Sequence, residues 1–224
     1  KVAIIGAGNG GQAMAGHIGL LGYETWIYDI DKEKLSALQE KKRIVLSGAE
    51  NGSTDHIHIT LSLKEAIACS DMIMIVTSAI SHHSVAKDIA HLLEDGQIII
   101  LHPGYFFGAL AFRRALEKEH CRKNVIVADT ESLVYSCRSE IPGEVYIAGV
   151  KQSLLVATFP GRDIDLMIEK IKNIYPQCLP GKNILDTTFG NVNFVLHTPI
   201  ALFNAGSIDS KREFLFYYEG GSPA

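Results

Sequence analysis

The stretch KVAIIGAGNGG, residues 1–11, decides the fold of this 224-residue chain. Four apolar residues at 2–5 predict a buried strand, and glycines then follow with the spacing G-x-G-x-x-G. In this pattern the first glycine permits a tight turn, the second lets backbone approach a pyrophosphate, and the third lets helix and strand pack closely. The stretch therefore predicts a dinucleotide-binding loop at the start of a helix, formed by Gly6, Gly8, Asn9, Gly10 and Gly11.

An acidic residue closes the next predicted strand, ETWIYD, at the place this interpretation requires. Asp29 lies 18 residues after Gly11 (29 minus 11), where a carboxylate accepts hydrogen bonds from the adenosine ribose hydroxyls and repels a 2′-phosphate. This favours NAD over NADP as the cofactor. Asp31 competes for the ribose role, but a cap on the following helix explains it better.

Helices and strands alternate through the first 130 residues. Helices are predicted at 12–21, 32–42, from 63, 84–93 and 109–119, and strands at 57–60, 72–76, 97–101 and 124–128. Strands that are apolar throughout, rather than alternating, indicate a parallel sheet covered on both faces. The sequence therefore predicts an α/β fold, with a doubly wound Rossmann-type sheet followed by the start of a helical C-terminal domain.

The pattern changes after residue 129. Two strand-like runs within 144–160 suggest a hairpin or meander at the sheet edge, and a helix is predicted at 163–174. The connector PQCLPGKN, which ends at Asn183, indicates a domain boundary. We therefore predict an NAD-binding domain over 1–182 and the beginning of a truncated helical substrate domain over 183–224.

Composition excludes several classes of protein. Hydrophobic residues make up 47% of the chain and charged residues 21%, with a net charge of −4 and no basic stripe that would bind nucleic acid. The apolar runs are too short to span a membrane and no leader precedes the first strand, which predicts a cytoplasmic protein. The scattered cysteines and histidines predict no metal site, and the adjacent His82 and His83 are expected in a solvated loop or helix start.

Polar residues and glycines follow two of the predicted strands. Ligands of an open parallel sheet lie beyond the carboxyl ends of its strands. The nicotinamide side of the cofactor is therefore expected to be lined by Thr77, Ser78, His102, Pro103 and Gly104. Ordinary turn chemistry explains each of these residues equally well.

A histidine and a proline interrupt the apolar run NVNFVLHTPIALFNAG, residues 191–206, which otherwise predicts a buried helix. On a helix, Asn193, His197 and Asn204 fall along one line of the surface. A histidine there can be a satisfied core residue. Pro199, however, removes one helix hydrogen bond and is expected to bend the axis, which is more typical of a functional site.

Several segments together resemble the octopine/nopaline (opine) dehydrogenase family. They are the glycine loop, Asp29, HPG at 102–104, TESLVYSCR at 130–138 and, above all, GNVNFVLHTPIALFNAG at 190–206. That family shares its nucleotide-binding domain with glycerol-3-phosphate and ketopantoate reductases. The resemblance implies an enzyme that uses NAD(H) to condense an amino acid reductively with an α-keto acid such as pyruvate. It also implies that His197 is the general acid/base, a role that suits imidazole near neutral pH.

The resemblance extends to candidate substrate contacts. Arg138 and Glu131 lie in the segment that resembles the substrate-proximal strand of the family, and a guanidinium can clamp a keto-acid carboxylate through two hydrogen bonds. A surface ion pair accounts equally well for either residue. Asn204, on the line of His197, is the second candidate for substrate binding.

The chain departs from the family near its end. FLFYYEGGSPA, residues 214–224, resembles the entrance to the family's helical domain, and no residue matches the carboxylate that partners the histidine there. We therefore expect a truncated enzyme that binds dinucleotide but turns over poorly. The apolar side chains of Phe203, Phe214 and Phe216 are expected to favour a homodimer or aggregation.

Two other functions remain open at this point. One is a 2-hydroxyacid or glycerol-3-phosphate type reductase, although such relatives use a lysine in the catalytic helix and residues 190–206 contain none. The other is a non-catalytic dinucleotide-binding module.

Overall fold

The computed structural model describes residues 1–221, so residues 222–224 of the predicted helical domain lie outside the described part. The strands are β1 Val2–Ile5, β2 Thr25–Tyr28, β3 Ile44–Gly48, β4 Gly52–Thr54, β5 Ile57–Thr60, β6 Met72–Ile75, β7 Ile98–Leu101, β8 Ile126–Thr130, β9 Tyr135–Ile141, β10 Glu144–Val150, β11 Leu154–Thr158 and β12 Cys178–Pro180. The helices are α1 Asn9–Leu20, α2 Lys32–Lys41, α3 Leu63–Ile67, α4 His82–Ile89, α5 Gly108–Lys118, α6 Ile164–Ile171, α7 Ile184–Gly190, α8 Asn193–Phe203 and α9 Ala205–Asp209.

Eight strands form the main sheet, in the order β12-β11-β8-β7-β6-β1-β2-β5. The six strands from β8 to β5 are mutually parallel. The chain moves outward from β1 to β2 and β5, and then returns to the other side of β1 to continue through β6, β7 and β8. This order confirms the predicted Rossmann-type sheet, and it opens a crevice at the carboxyl ends of β1 and β6.

Strand β1 explains why its sequence is apolar without alternation. Val2 and Ile4 point into a core shared with α1, whereas Ala3 and Ile5 point into a second core shared with α3, α4 and α5. All four side chains are at most 2% exposed. Successive residues of a strand face opposite sides of the sheet, so a strand covered on both faces needs apolar residues at every position.

A second, four-stranded sheet in the order β4-β3-β10-β9 was not predicted from the sequence. The inner face of this sheet packs on α1. Strand β10 pairs with β3 and β9, whereas β11 lies antiparallel to β8 in the main sheet. The predicted hairpin of these two strands at one sheet edge is therefore wrong. Alternate residues of β10 are exposed, as a one-sided sheet requires, whereas most of β11 is buried.

The C-terminal part begins inside the predicted connector. Strand β12 pairs with β11, and α7 packs on β8, β11 and α5 of the first domain. The predicted domain boundary between residues 182 and 183 stays a prediction. The longest helix of the described part, α1, has 12 residues, and a bilayer crossing needs about 20. None of the helices in residues 1–221 is a candidate membrane span.

Helix α8 is shorter and more exposed than the sequence predicts. It covers Asn193–Phe203 rather than residues 191–206, and Ile200 is its one buried residue. Phe203 is 83% exposed. The prediction of a buried helix is therefore wrong for the described residues, because the main element packed on α8 is the five-residue helix α9.

Candidate functional site

Two glycines of the loop after β1 are required by close packing. Gly6 has a φ of +113°, and a Cβ built on it would lie 2.5 Å from the carbonyl oxygen of Val76. A Cβ on Gly11 would lie 1.7 Å from the carbonyl oxygen of Gly6. A side chain at either position would force the loop away from β6 or lift α1 from β1, since such contacts are far below van der Waals distance.

Gly8 differs from these two because open space surrounds it. A Cβ built there would meet no atom within 4 Å, and the residue lines a cavity at the ends of β1, β2 and β6. Gly8 is also the N-cap of α1, whose first turn holds no acidic residue and no capping side chain. Its N–H groups and the positive end of the helix dipole are therefore available to an anion. This arrangement fits the pyrophosphate of a dinucleotide.

A residue that the sequence reasoning missed holds this loop in place. Gln12 is 4% exposed, donates to the carbonyl of Ala7 at 2.9 Å and accepts from the N–H of Gly143 at 2.8 Å. The side chain of Asn9 accepts from the N–H of Ser139 at 3.2 Å. Both side chains therefore tie the loop and the start of α1 to the second sheet, which sequence spacing alone does not reveal.

A cavity of about 340 Å³ opens where β1, β2 and β6 end. Its volume falls within the range of small-molecule sites. It is lined by Ile5, Gly6, Gly8, Tyr28, Asp29, Ile30, Lys34, Leu63, Val76, Thr77, Ser78, Ser81, Ser84, Val85 and Asp88. Five predicted cofactor residues thus meet in one place: Gly6, Gly8, Asp29, Thr77 and Ser78.

Hydrogen bonds hold the carboxylate of Asp29 at the cavity wall. One of its oxygens accepts from the N–H of Ala7 at 2.7 Å and the other from the N–H of Asp31 at 2.9 Å. Asp31 itself caps α2 by accepting from the N–H groups of Glu33 and Lys34, which confirms its predicted capping role. The N–H of Lys34 in particular holds the pKa of Asp31 below its usual range.

Thr77 and Ser78 border the cavity in different ways. The hydroxyl of Thr77 is buried and has no hydrogen-bond partner among the described residues. Buried polar groups are normally paired, so this hydroxyl is available to a ligand group that reaches it. The hydroxyl of Ser78 lies 3.3 Å from that of Ser81 within the turn that leads into α4.

The segment 102–104 is not among the lining of this cavity. His102 is 1% exposed, and its Nε2 lies 3.2 Å from the sulfur of Met74. Burial lowers its pKa to about 3. The expectation that His102 lines the nicotinamide side is therefore wrong. Its side chain continues the alternation of Ile98 and Ile100, which point into the core that contains α1.

Pro103 and Gly104 are likewise buried. A Cβ on Gly104 would lie 2.3 Å from the Cβ of Asp129, and the N–H of Gly104 donates to the carbonyl of Thr130 at 3.0 Å. Packing of this segment against β8 therefore explains the glycine. Contact of either residue with a cofactor stays a prediction.

Asp129 was missed by the sequence reasoning although it lies in a buried strand, one residue before the end of β8. It is 1% exposed and accepts from the N–H of Ala109 at 2.9 Å and from the hydroxyl of Thr187 at 2.6 Å. Burial raises its pKa to about 6, against the lowering effect of these two hydrogen bonds. Asp129 thus fastens α5 and α7 to the end of β8.

His82 was expected in a solvated loop or helix start, and only part of that expectation is correct. It does begin α4, but it is 7% exposed and packs near Tyr105, with ring centroids 5.9 Å apart. Its Nε2 has no hydrogen-bond partner among the described residues. Burial lowers its pKa. His83, by contrast, is exposed.

Arg138 and Glu131 lie apart from the dinucleotide cavity. Arg138 is exposed on the outer face of the second sheet, beside Tyr146 in the register of β9 and β10. Glu131 accepts from the N–H of Leu155 at 3.2 Å and therefore joins the end of β8 to β11. Neither residue forms an ion pair within residues 1–221. A substrate role for Arg138 stays a prediction.

His197 is half-buried on α8 and contacts the C-terminal segment. Its Nε2 lies 2.8 Å from the hydroxyl of Tyr217, and its ring packs against Phe216 with centroids 5.8 Å apart. Asn204 lies beyond the end of α8, where its side-chain NH₂ donates to the carbonyls of Ile200 and Gly220. The predicted helical line of three polar residues is therefore broken at Asn204, whose donors serve the fold.

Aromatic contacts connect α8 to the carboxyl edge of the main sheet. The ring of Phe194, three residues before His197, lies 5.9 Å from that of Phe106 in the segment after β7. Phe189 at the end of α7 lies 6.1 Å from the same ring. Residues three apart on a helix share a face, so the face of α8 that bears His197 begins at this edge.

Metal-binding side chains do not converge in the described part of the chain. Within residues 1–221, no group of three His, Cys, Asp or Glu side chains is arranged to hold a metal ion.

Two family models match the chain in succession. Residues 1–117 match the N-terminus of NAD-dependent glycerol-3-phosphate dehydrogenase. Residues 180–224 match the alpha-helical domain of NAD/NADP octopine/nopaline dehydrogenase. The second match begins at Pro180 in β12, and it includes the helix that bears His197.

Individual relatives agree with both models. The chain is 35% identical over 223 residues to an opine dehydrogenase of Arthrobacter sp. (strain 1C), covering 99% of this chain and 62% of that protein. It is 23% identical over 154 residues to a glycerol-3-phosphate dehydrogenase [NAD(P)+] of Thermoanaerobacter sp. (strain X514), covering 67% of this chain and 46% of that protein. The chain thus spans less than two thirds of the length of these relatives.

Solved structures show the same fold. Octopine dehydrogenase determined with NADH and L-arginine superposes with a TM-score of 0.76 at 19% identity, over 93% of this chain and 55% of that one. Apo yersinopine dehydrogenase superposes with a TM-score of 0.80 at 17% identity, over 95% of this chain and 55% of that one.

Proposed function

The chain belongs to the octopine/nopaline dehydrogenase family, which carries the nucleotide-binding domain of NAD-dependent glycerol-3-phosphate dehydrogenases, and from this membership we propose its reaction. The complete protein is an NAD(H)-dependent, cytoplasmic opine dehydrogenase that joins the amino group of an amino acid to an α-keto acid such as pyruvate and reduces the resulting imine. The observation that carries the proposal is the junction, in one chain, of a dinucleotide cavity with the histidine-bearing helix of the octopine/nopaline type.

The first domain fits the cofactor. The uncapped start of α1 and the open space at Gly8 would hold the pyrophosphate, and Asp29 would accept hydrogen bonds from the adenosine ribose. Bound NADH would supply the hydride. Because two backbone N–H groups hold the carboxylate of Asp29 in place, this side chain does not have to change conformation before it accepts hydrogen bonds from the ribose hydroxyls.

We assign the proton transfers to His197. Formation and reduction of an imine require a proton to be delivered to, and removed from, the reacting nitrogen and carbonyl oxygen, which imidazole does efficiently near neutral pH. The hydroxyl of Tyr217 at 2.8 Å from Nε2 orients the ring. The aromatic contact between Phe194 and Phe106 supports a position of this helix at the edge where substrates of such sheets bind.

The assignment of an opine-type reaction is tested with the complete protein. NADH oxidation is followed with pyruvate and a panel of amino acids, and with glycerone phosphate and ketopantoate as alternative substrates. We expect consumption of NADH only when the keto acid and an amino acid are both present. Consumption of NADH with glycerone phosphate or ketopantoate alone would instead favour a reductase of the glycerol-3-phosphate or 2-hydroxyacid type. Binding of NADH without its consumption by any substrate would favour a non-catalytic module.

A pair of matched substitutions tests the role of His197. His197→Asn should lower kcat by about 10²- to 10⁴-fold, the usual contribution of general acid–base catalysis. His91→Asn provides the control, because His91 is an exposed histidine in the connection from α4 to β7 and is not among the residues that line the cavity. Equal activity of the two variants would contradict the assignment of His197.

A further inference from the structure

Three charged residues line the cavity, and one of them, Asp29, lies directly after β2. Asp29 and Asp88 contribute negative charge, and Lys34 is the single cationic residue in the cavity lining that the structure describes. Asp31 stands beside them as the cap of α2. A ribose that carried an added phosphate beside Asp29 would therefore meet the carboxylates of Asp29 and Asp31 and the ammonium group of Lys34.

The carboxylate of Asp29 cannot turn away from such a phosphate. Both of its oxygens accept backbone hydrogen bonds, from Ala7 at 2.7 Å and from Asp31 at 2.9 Å, and its side chain is only 13% exposed. The carboxylate of Asp29 therefore repels a phosphate at the 2′ position. Any compensation has to come from a neighbouring group that is able to move.

Lys34 is that neighbour. It lies in the first turn of α2, with its Nζ 3.9 Å from Asp29 and 3.5 Å from Asp31, and its side chain is 45% exposed. Both distances are near the upper limit for an ion pair. The ammonium group is therefore held near the ribose end of the cavity but is not fixed to one carboxylate. A lysine on a flexible four-carbon stem can then swing towards a phosphate.

We infer that Lys34 sets how strongly the protein discriminates between NADH and NADPH, because its ammonium group donates a hydrogen bond to the 2′-phosphate of NADPH. The inference rests on the proposed function, since it requires the dinucleotide in this cavity. With NADH, which has hydroxyls at this position, Asp29 makes the main contact and Lys34 contributes little. With NADPH, Lys34 offsets the repulsion from Asp29, so the protein retains measurable NADPH binding.

Binding of the two reduced dinucleotides tests this inference directly. The chain is titrated with NADH and with NADPH, following nucleotide fluorescence, for wild type, Lys34→Gln, Lys34→Arg and Lys32→Gln. Lys32 is the matched control because it is an exposed lysine on the same helix, outside the cavity lining. We expect Lys34→Gln to weaken NADPH binding about tenfold, the scale of one charge-assisted hydrogen bond, and NADH binding by less than about twofold.

The remaining variants complete the test. Lys34→Arg should keep NADPH binding, because a guanidinium also donates to phosphate. The inference would be overturned if Lys34→Gln weakened the binding of NADH and NADPH equally, or if it left the affinity for NADPH unchanged. It would also be overturned if Lys32→Gln had the same effect as Lys34→Gln. Wild-type protein that binds NADH but no NADPH would overturn it alone, whereas absence of binding for both would overturn the proposed function as well.

Discussion

Strand β1 and helix α8 are both apolar runs, yet they have opposite surroundings. Every residue of β1 is at most 2% exposed, because neighbouring strands and helices cover both of its faces. In α8 Ile200 alone is buried, and Phe203 is 83% exposed. Apolar sequence therefore predicts burial only where the topology supplies surfaces on every apolar side, and the described part of this chain supplies them for the nucleotide-binding half.

The largest expected difference between the two regions is in stability. Ile4→Ala should lower the free energy of unfolding by about 2–5 kcal/mol, because it leaves a cavity between packed layers. Phe203→Ala should change it by less than about 0.5 kcal/mol, since the ring is mostly in solvent. Chemical denaturation of the two variants measures both. Comparable losses would show that α8 is packed as fully as β1.

Substitution of a loop glycine sharpens the comparison within the first region. Gly11→Ala places a methyl group 1.7 Å from the carbonyl oxygen of Gly6 and should cost about 1–3 kcal/mol or more through overpacking. Gly149→Ala is the control, because a Cβ there meets no atom within 4 Å and its φ is not in the left-handed region. Thermal unfolding of the pair measures the effect. Equal stability would contradict the close packing of α1 on β1.

His102, the more deeply buried of two buried histidines in the first region, should make the free energy of unfolding depend on pH. Because burial lowers the pKa of His102 to about 3 from 6.5, the unfolded chain takes up this proton first. The contribution of neutral His102 to the free energy of unfolding is fully present above pH 6.5 and is lost as the pH falls towards 3. It amounts to about 2 kcal/mol between pH 7 and pH 5.

Comparison with His102→Gln isolates that contribution. Asp129, whose pKa burial raises to about 6, has the opposite slope, since its protonated form is favoured in the folded state as pH falls below 6. The effect of Asp129 is present in both proteins, so it cancels when the change in the free energy of unfolding is compared between wild type and variant. Denaturation at pH 7 and pH 5 should therefore show a smaller loss of stability in the variant, and identical losses would contradict the burial of His102.

The smallest effect is expected at the contact of His197. Tyr217→Phe removes the hydroxyl 2.8 Å from Nε2, but Tyr217 is 65% exposed, so the free energy of unfolding should change by less than about 0.5 kcal/mol. Tyr218→Phe, at an 85% exposed neighbour, serves as the control. A loss above about 1 kcal/mol confined to Tyr217→Phe would show that the second region is held together more firmly than its exposure indicates.

The parallel sheet could be predicted because its strands carry their own signal. Continuous apolar runs separated by helical patterns specify β1, β6 and β7 from local sequence. The second sheet could not be predicted in this way. Its strands come from two distant parts of the chain and alternate in burial, so their partners are determined by the surface of α1 rather than by neighbouring residues.

The candidate site was predictable to the extent that spacing fixes position. The glycine pattern and Asp29 led to the cavity because a turn and the end of the next strand meet in space. Lys34 and Asp88 lie within helices and reach the cavity only through helix packing. The position of His102 was predicted wrongly because the alternation of side chains in β7 continues one residue beyond the strand. The position of Asn204 was predicted wrongly because α8 ends one residue before it.

The pairing of β3 with β10 has a consequence for the order in which the chain acquires its structure. Val45 pairs with Glu144, 99 residues later (144 minus 45). Contacts of such long sequence separation slow folding, because the intervening loop has to be closed first. During synthesis, the hairpin of β3 and β4 therefore leaves the ribosome long before its partner strands exist. We expect the second sheet, which packs on α1, to assemble late, after the six parallel strands are already in place.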